Sequence, residues 1–198
     1  MSDMHAQTIT EPTPRLITVA EFVRMGRAGV FAPDERIELL DGQLMLVPPQ
    51  KNPHAWCVER LSMLLILGLV DRARVRPQLP LVLDPLSMPL PDLLVSAPGD
   101  RRHPRADQVL LAIEVADTSI AYDRGRKLHA YARNDVPEYW IVDLPARRVQ
   151  VSTRPRGETY AETRLAGRGE TIAPTAFPDL VLSVDDFMPD EDLFATPD

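Results

Sequence analysis

The stretch QVLLAIEVADTSIAYDRGRKLHAYARNDVPEYWIVD, residues 108–143, decides the fold. Gln108 to Val115 is apolar at nearly every position, which predicts a strand covered on both faces and therefore central in its sheet. Tyr122 to Arg133 reads as a helix ending near Asn134, and Glu138 to Asp143 returns as a strand. Working outward, Arg148 to Thr153 pairs with that strand across the short loop Leu144-Pro145-Ala146. On the N-terminal side, Leu79 to Leu83 and Asp92 to Val95 read as strands separated by proline-rich or charged turns. Asn52-Pro53 supplies a good cap residue and a proline at the first helical position, opening a helix through Leu69. That helix is apolar on nearly every side, so it is expected to lie buried beneath the sheet. Arg36 to Leu40 and Gln43 to Val47 flank Asp41-Gly42, a strong hairpin signal. Thr18 with Glu21 fits a capping box for a short helix. Strands interleaved with helices in this order predict an α/β (α+β) fold, a mixed β-sheet flanked by helices.

With 198 residues the chain can bury one substantial core. We read one domain, residues 15–188, between a polar tail at 1–14, expected to be disordered, and an acidic tail at 189–198. The 20 prolines argue for many short connections rather than long coiled coils. Nine glycines, none in a GxGxxG or GxxxxGK arrangement, remove the main support for a nucleotide-binding loop. Cys57 stands alone, which excludes an intramolecular disulfide and a cysteine-rich zinc site. The first residues show no basic-then-apolar leader, and the run Met63 to Val70 is too short to span a bilayer. No membrane association and a cytoplasmic location are the expectations.

A formal charge of −7 is unfavourable for a nucleic-acid binder. Its distribution matters more. Six of the 29 acids lie beyond Ser183, where no basic residue occurs, so 23 acids face 22 basic residues in the remainder.

Glu114 closes the apolar run Val109 to Ile113. An ionised carboxylate there loses its hydration, so it needs a cation, a metal or a raised pKa, unless the strand end already emerges into solvent. Asp92 sits between Leu90-Pro91 and Leu93-Leu94-Val95; alone, a Pro-Asp pair is a common turn start. Together the two acids make a hard, oxygen-rich site suited to Mg²⁺ or Mn²⁺. Asp123, Lys127 and Tyr131 share one helical face at i, i+4 and i+8. Taken alone, that pattern favours a surface ion pair between Asp123 and Lys127. A lysine reaching the acids would instead act as a point charge against a phosphate. His54, at a helix start, is either a partly exposed residue or a proton carrier near neutral pH. Tyr139 and Trp140 belong to the core rather than to a base-stacking platform.

Three blocks, RIELLDGQLMLVPPQKNPHAW (36–56), PDLLV (91–95) and IEVADTSIAYDRGRKLHAYARNDVPEYWIVD (113–143), resemble the Uma-two family of restriction-endonuclease-like proteins with the PD-(D/E)XK fold. The likeness runs from about Thr18 to Phe187. It implies a restriction-endonuclease-like sheet flanked by helices, with Asp92 and Glu114 binding a divalent metal. Glu38 is a further acidic candidate, as catalytic residue and as ligand. The usual ExK lysine is missing because Ala116 occupies its position, and the resemblance assigns its charge to Lys127. His54 matches a histidine that follows the proline-rich turn.

The reading that results is an endonuclease hydrolysing DNA with Mg²⁺ (or Mn²⁺), using Asp92, Glu114 and Lys127 with Glu38 and His54. Arg101, Arg102, Arg105, Arg124, Arg126, Arg147 and Arg148 are available for DNA backbone contacts. Cutting both strands suits a homodimer. Two rivals are a catalytically silent module of the same fold, binding nucleic acid or protein, and a metal-free small-molecule hydrolase using Glu114 and His54.

Overall fold

The helix announced by Thr18 and Glu21 forms as expected in the computed structural model, which describes residues 13–99 and 104–190. Helix α1 (Val19–Arg27) begins with a reciprocal box: Glu21 N donates to Thr18 Oγ1, and Thr18 N donates to the Glu21 carboxylate at 2.9 Å. Strands β1 (Ile37–Leu40) and β2 (Gln43–Leu46) form the expected hairpin. Asp41 and Gly42 at its tip have φ of 54° and 72°, as a two-residue primed turn requires. A Cβ on Gly42 would also stand 2.6 Å from Leu16 Cβ, so only glycine fits.

Helix α2 (Asn52–Gly68) starts one residue earlier than its sequence suggests. Lys51 is the cap residue, and no side chain caps the helix. Expected to be buried on nearly every side, α2 covers only one face. Cys57, Val58, Leu61 and Leu65 are buried, whereas Met63, Ile66 and Leu67 are 42, 47 and 70% exposed. Its inner face packs against β3 (Arg74–Pro77) and the central strand β5 (Val109–Ala116).

The strand expected at Leu79 to Leu83 is not one. The sheet takes Arg74–Pro77 instead, antiparallel to β4 (Leu93–Ser96). Gln78 then turns into the left-handed region at φ 49°, and Pro80 and Pro85 bring no N–H to a ladder. The intervening chain folds back on itself, Leu81 N bonding to Pro89 O and Leu83 N to Ser87 O.

The sheet is completed by β6 (Glu138–Asp143), β7 (Arg148–Arg156) and β8 (Thr159–Gly167), in the order β3-β4-β5-β6-β7-β8. Neighbours are antiparallel except β5 and β6. A parallel pair needs a crossover, and here it is helical: α3 (Ile120–Tyr122), a π-helical stretch Asp123–Lys127, and α4 (Leu128–Arg133). The single helix expected from Tyr122 to Arg133 is thus interrupted by a π turn. Strand β8 has no counterpart in the sequence reading; only Tyr160 and Ala166 along it are buried, so its pattern is that of an edge. A short pair, β9 (Thr171–Ile172) with β10 (Leu182–Ser183), follows.

The two faces of β5 serve two cores. Leu111, Ile113 and Val115 join Cys57, Leu61, Leu65 and Trp140 beneath α2. Ala112 and Ala116 join Ala130, Tyr131, Tyr139 and Ile141 beneath the crossover. Tyr139 and Trp140 are fully buried, as expected. Glu114, between Ala112 and Ala116, therefore points to the crossover side. The tails at 1–12 and 191–198, and Arg101 and Arg102, lie outside the described residues.

The division of α2 into a packed and an open face gives a direct expectation. Leu61→Ala should destabilise the protein by about 2–5 kcal/mol, whereas Leu67→Ala should stay within about 0.5 kcal/mol. Denaturant unfolding of both variants checks this, and equal losses would mean that α2 is covered on both sides.

Candidate active site

Where β4 and β5 meet, the register that sets Leu93 opposite Ile113 carries on by one step to set Asp92 opposite Glu114. Both carboxylates are buried, at 5 and 3% exposure. Asp92 is tightly held. Its Oδ2 accepts the Val115 N–H at 2.9 Å and lies 3.1 Å from His54 Nε2; its Oδ1 accepts Gln50 Nε2 at 3.0 Å. Gln50 is fixed in turn by Gln78 Nε2 at 2.9 Å, and the Gln78 N–H bonds to the Asp92 carbonyl.

Lys127 comes from the crossover. Its ammonium lies 2.9 Å from Glu114 Oε1, 3.4 Å from Glu38 Oε2 and 3.9 Å from Asp123 Oδ1, with only 5% of the side chain exposed. Tyr131 donates to the same Glu114 oxygen at 2.8 Å, leaving Oε2 without a partner among the described residues. Glu38, on β1, accepts the Tyr122 hydroxyl at 2.8 Å and the Leu90 N–H at 3.0 Å. Ser119 donates to Asp123 at 2.5 Å. Apart from Tyr131 and Gln78, which support them from behind, these side chains line one cavity of about 580 Å³, in the range of cavities that enclose a ligand.

The Uma2 family model, described as "Putative restriction endonuclease", matches residues 19–185. The chain belongs to the Uma2 family. No curated protein matches it significantly. Among solved structures it is similar to "a putative nuclease belonging to DUF820 from Anabaena variabilis", with 16% identity and a TM-score of 0.69, over 87% of this chain and 97% of that one. At that identity the likeness shows the fold, a mixed sheet flanked by helices, and the family description places nuclease activity in view.

All five residues singled out in the sequence of this Uma2 chain, Glu38, His54, Asp92, Glu114 and Lys127, line the cavity. The surface-pair reading of Lys127 gives way: its distance to Asp123 is the longest of its three, and both residues are buried. Both residues belong to the π turn, on the side of the crossover that faces the sheet. Sequence reasoning gave Asp123 and Tyr131 only as face-mates of Lys127, and it missed Tyr122, Gln50 and Gln78. The i, i+4, i+8 spacing was the signal for the first two. Nothing local marks Gln50 or Gln78, which act through contacts distant in sequence.

Burial pushes Glu114 well above the ordinary carboxyl range, partly countered by Lys127 and reinforced by Asp123, Asp92 and Glu38. Asp123 is also raised, again first by burial. Burial pulls the Lys127 ammonium down, but Glu114, Glu38, Asp123 and Asp92 together outweigh it and hold the charge well above the usual lysine value. Four carboxylates thus surround one firmly held ammonium. Among the described residues, no three His, Cys, Asp or Glu side chains are grouped so as to hold a metal by themselves. Mg²⁺ does not require that, because it keeps several waters and binds through one or two carboxylates. The hard oxygen donors and the excess negative charge of this Uma2 site fit such an ion.

For Glu114 and Asp123 the folded pKa exceeds the unfolded one, so the folded state binds protons more tightly and loses stability as pH rises above about 4. Lys127 adds stability that is present below about pH 10 and is lost only above it. In chelator, the protein should melt at a higher temperature near pH 5 than near pH 8, and Glu114→Gln should flatten that slope. Thermal melts across this range test it; a wild type whose stability rises from about pH 5 to pH 8 would contradict the assignment of surplus charge to Glu114.

Proposed function

We propose that this Uma2 protein is a divalent-metal-dependent endonuclease that hydrolyses DNA phosphodiester bonds. The observation that carries the reading is the buried ammonium of Lys127 beside Glu114, within a cluster of four carboxylates lining one cavity. An ordinary core would not gather such groups, because each charge removed from water costs several kcal/mol before its partners compensate. Asp92 and Glu114 are the residues that would hold Mg²⁺ or Mn²⁺, with Glu38 as a third candidate. Such an ion supplies Lewis-acid charge for the phosphate and acidifies water.

The protein's own groups do the rest. Asp92, fixed by Gln50, His54 and the Val115 N–H, presents its carboxylate without rotational freedom. Glu114 offers the oxygen that Lys127 and Tyr131 leave unused. Lys127 brings a charged donor to where negative charge develops on the phosphate. His54, whose Nε2–H faces the Asp92 carboxylate, keeps its buried Nδ1 without a partner among the described residues. Water's oxygen bonds to phosphorus as one P–O ester bond breaks, and a proton of that water passes to the departing oxygen, which leaves as a hydroxyl.

A silent module of the same fold is the rival reading, and an enzymatic assay separates the two. Plasmid and single-stranded DNA should be cut with Mg²⁺ or Mn²⁺ and spared in chelator. Asp92→Asn and Glu114→Gln should each abolish cutting and weaken Mn²⁺ binding by calorimetry while circular dichroism stays unchanged. Lys127→Ala should slow cutting by about ten- to a thousand-fold, the scale of losing one electrostatic stabiliser. Intact cutting by Asp92→Asn would end this assignment.

A further inference from the structure

The cavity is lined unequally. Its floor is acidic, whereas one wall is the exit of β2, where Leu46 is 69% exposed and Pro48 and Pro49 are exposed as well. Exposed apolar residues standing singly carry no message, but here they form a lip on a cleft whose floor is acidic. Arg36 lines the same cavity. It lies two residues before Glu38, so the alternation of an extended chain puts both on one side. Its carbonyl is tied to the hairpin by the Val47 N–H at 2.8 Å.

The guanidinium of Arg36 has no hydrogen-bond or ion-pair partner among the described residues. Other arginines near the crossover are committed: Arg126 and Arg133 to Asp41, and Arg124 to Asp143. The acids of the floor have donors of their own in Lys127, Tyr122, Tyr131 and Gln50. A half-buried guanidinium left free beside a cleft is a ready partner for an anion, and its planar fork matches a phosphate.

The geometry points to a cleft that takes an unpaired nucleic-acid strand, with Arg36 gripping one of its phosphates and the Leu46-Pro48-Pro49 lip packing against an exposed base. Base faces are open only in an unpaired strand; in a duplex they are stacked away. A duplex also brings a second charged backbone. Against it the rim offers Lys51, which is already paired with Asp117 at 3.3 Å, and the floor offers carboxylates. The inference rests on the nuclease reading above and narrows its substrate.

Fluorescence anisotropy with a labelled thymidine oligonucleotide and with the same strand annealed to its complement tests it, in Mg²⁺ and on a Glu114→Gln background that stops turnover. The unpaired strand should bind at least about tenfold tighter, and Arg36→Met should weaken it and lower the slope of log affinity against log salt by about one. Leu46→Ser should weaken the unpaired strand several-fold and leave the duplex unchanged. Equal or tighter duplex binding, an unchanged salt slope in Arg36→Met, or equal losses for both ligands in Leu46→Ser would overturn the proposal. Cleavage by the wild type is read in parallel. Plasmid cut in preference to single strands would overturn this inference and leave the nuclease standing, whereas a strand preference without any cutting would do the reverse.

Discussion

One buried ammonium ties three parts of this protein together. Lys127 lies within 4 Å of Glu114, Glu38 and Asp123, three carboxylates from three separate parts of the chain. Removing one partner from such a buried set leaves an uncompensated charge, at a cost of about 3–5 kcal/mol. The β1–β2 hairpin, the central strand and the crossover are therefore tied to one another through a single side chain. The surrounding tyrosines add hydrogen bonds without adding charge, which lets the acids sit closer than mutual repulsion would otherwise allow.

That arrangement depends on the one parallel pair in the sheet. Because β5 and β6 run in the same direction, the chain between them must cross a face of the sheet, and it crosses the face on which Glu114 stands. Tyr131 of the crossover packs at a tilt on Tyr139 of the sheet, with ring centroids 4.7 Å apart, and the Tyr139 hydroxyl donates to the Asp123 carbonyl. Lys127 closes the π turn between α3 and α4 and is buried with Asp123.

Much of this was legible in the sequence because it is written in local patterns. The apolar run ending at Glu114, the strand after Asp92, the Asp41-Gly42 turn and the capping box at Thr18 each rest on neighbours close in sequence, and each forms as read. What failed was decided at a distance. Arg74–Pro77 becomes a strand because β4 offers it an edge, while the more apolar Leu79 to Leu83 is turned aside by Gln78 and Pro80. The outer face of α2 stays open although its composition reads as core. The choice of Lys127 over a lysine at position 116 came from family resemblance. Its physical ground appears only in the fold: Ala116 is fully buried among the residues beneath the crossover, and a long charged side chain there would displace them.

The hydrogen bonds also define what the site keeps available. Asp92 Oδ2 is taken up by the Val115 N–H and His54, and Glu114 Oε1 by Lys127 and Tyr131. Asp92 Oδ1 carries only the bond from Gln50, and Glu114 Oε2 carries none among the described residues. Glu114 thus uses one oxygen to stay in place and keeps the other without a partner among the described residues, whereas Asp92 is held through both. Glu138, by comparison, has both oxygens taken, by Trp140 Nε1 and the Thr175 N–H. The contrast between Glu138 and Glu114, both buried, both raised by burial and both on central strands, separates a carboxylate bonded through both oxygens from one bonded through a single oxygen at the wall of the cavity.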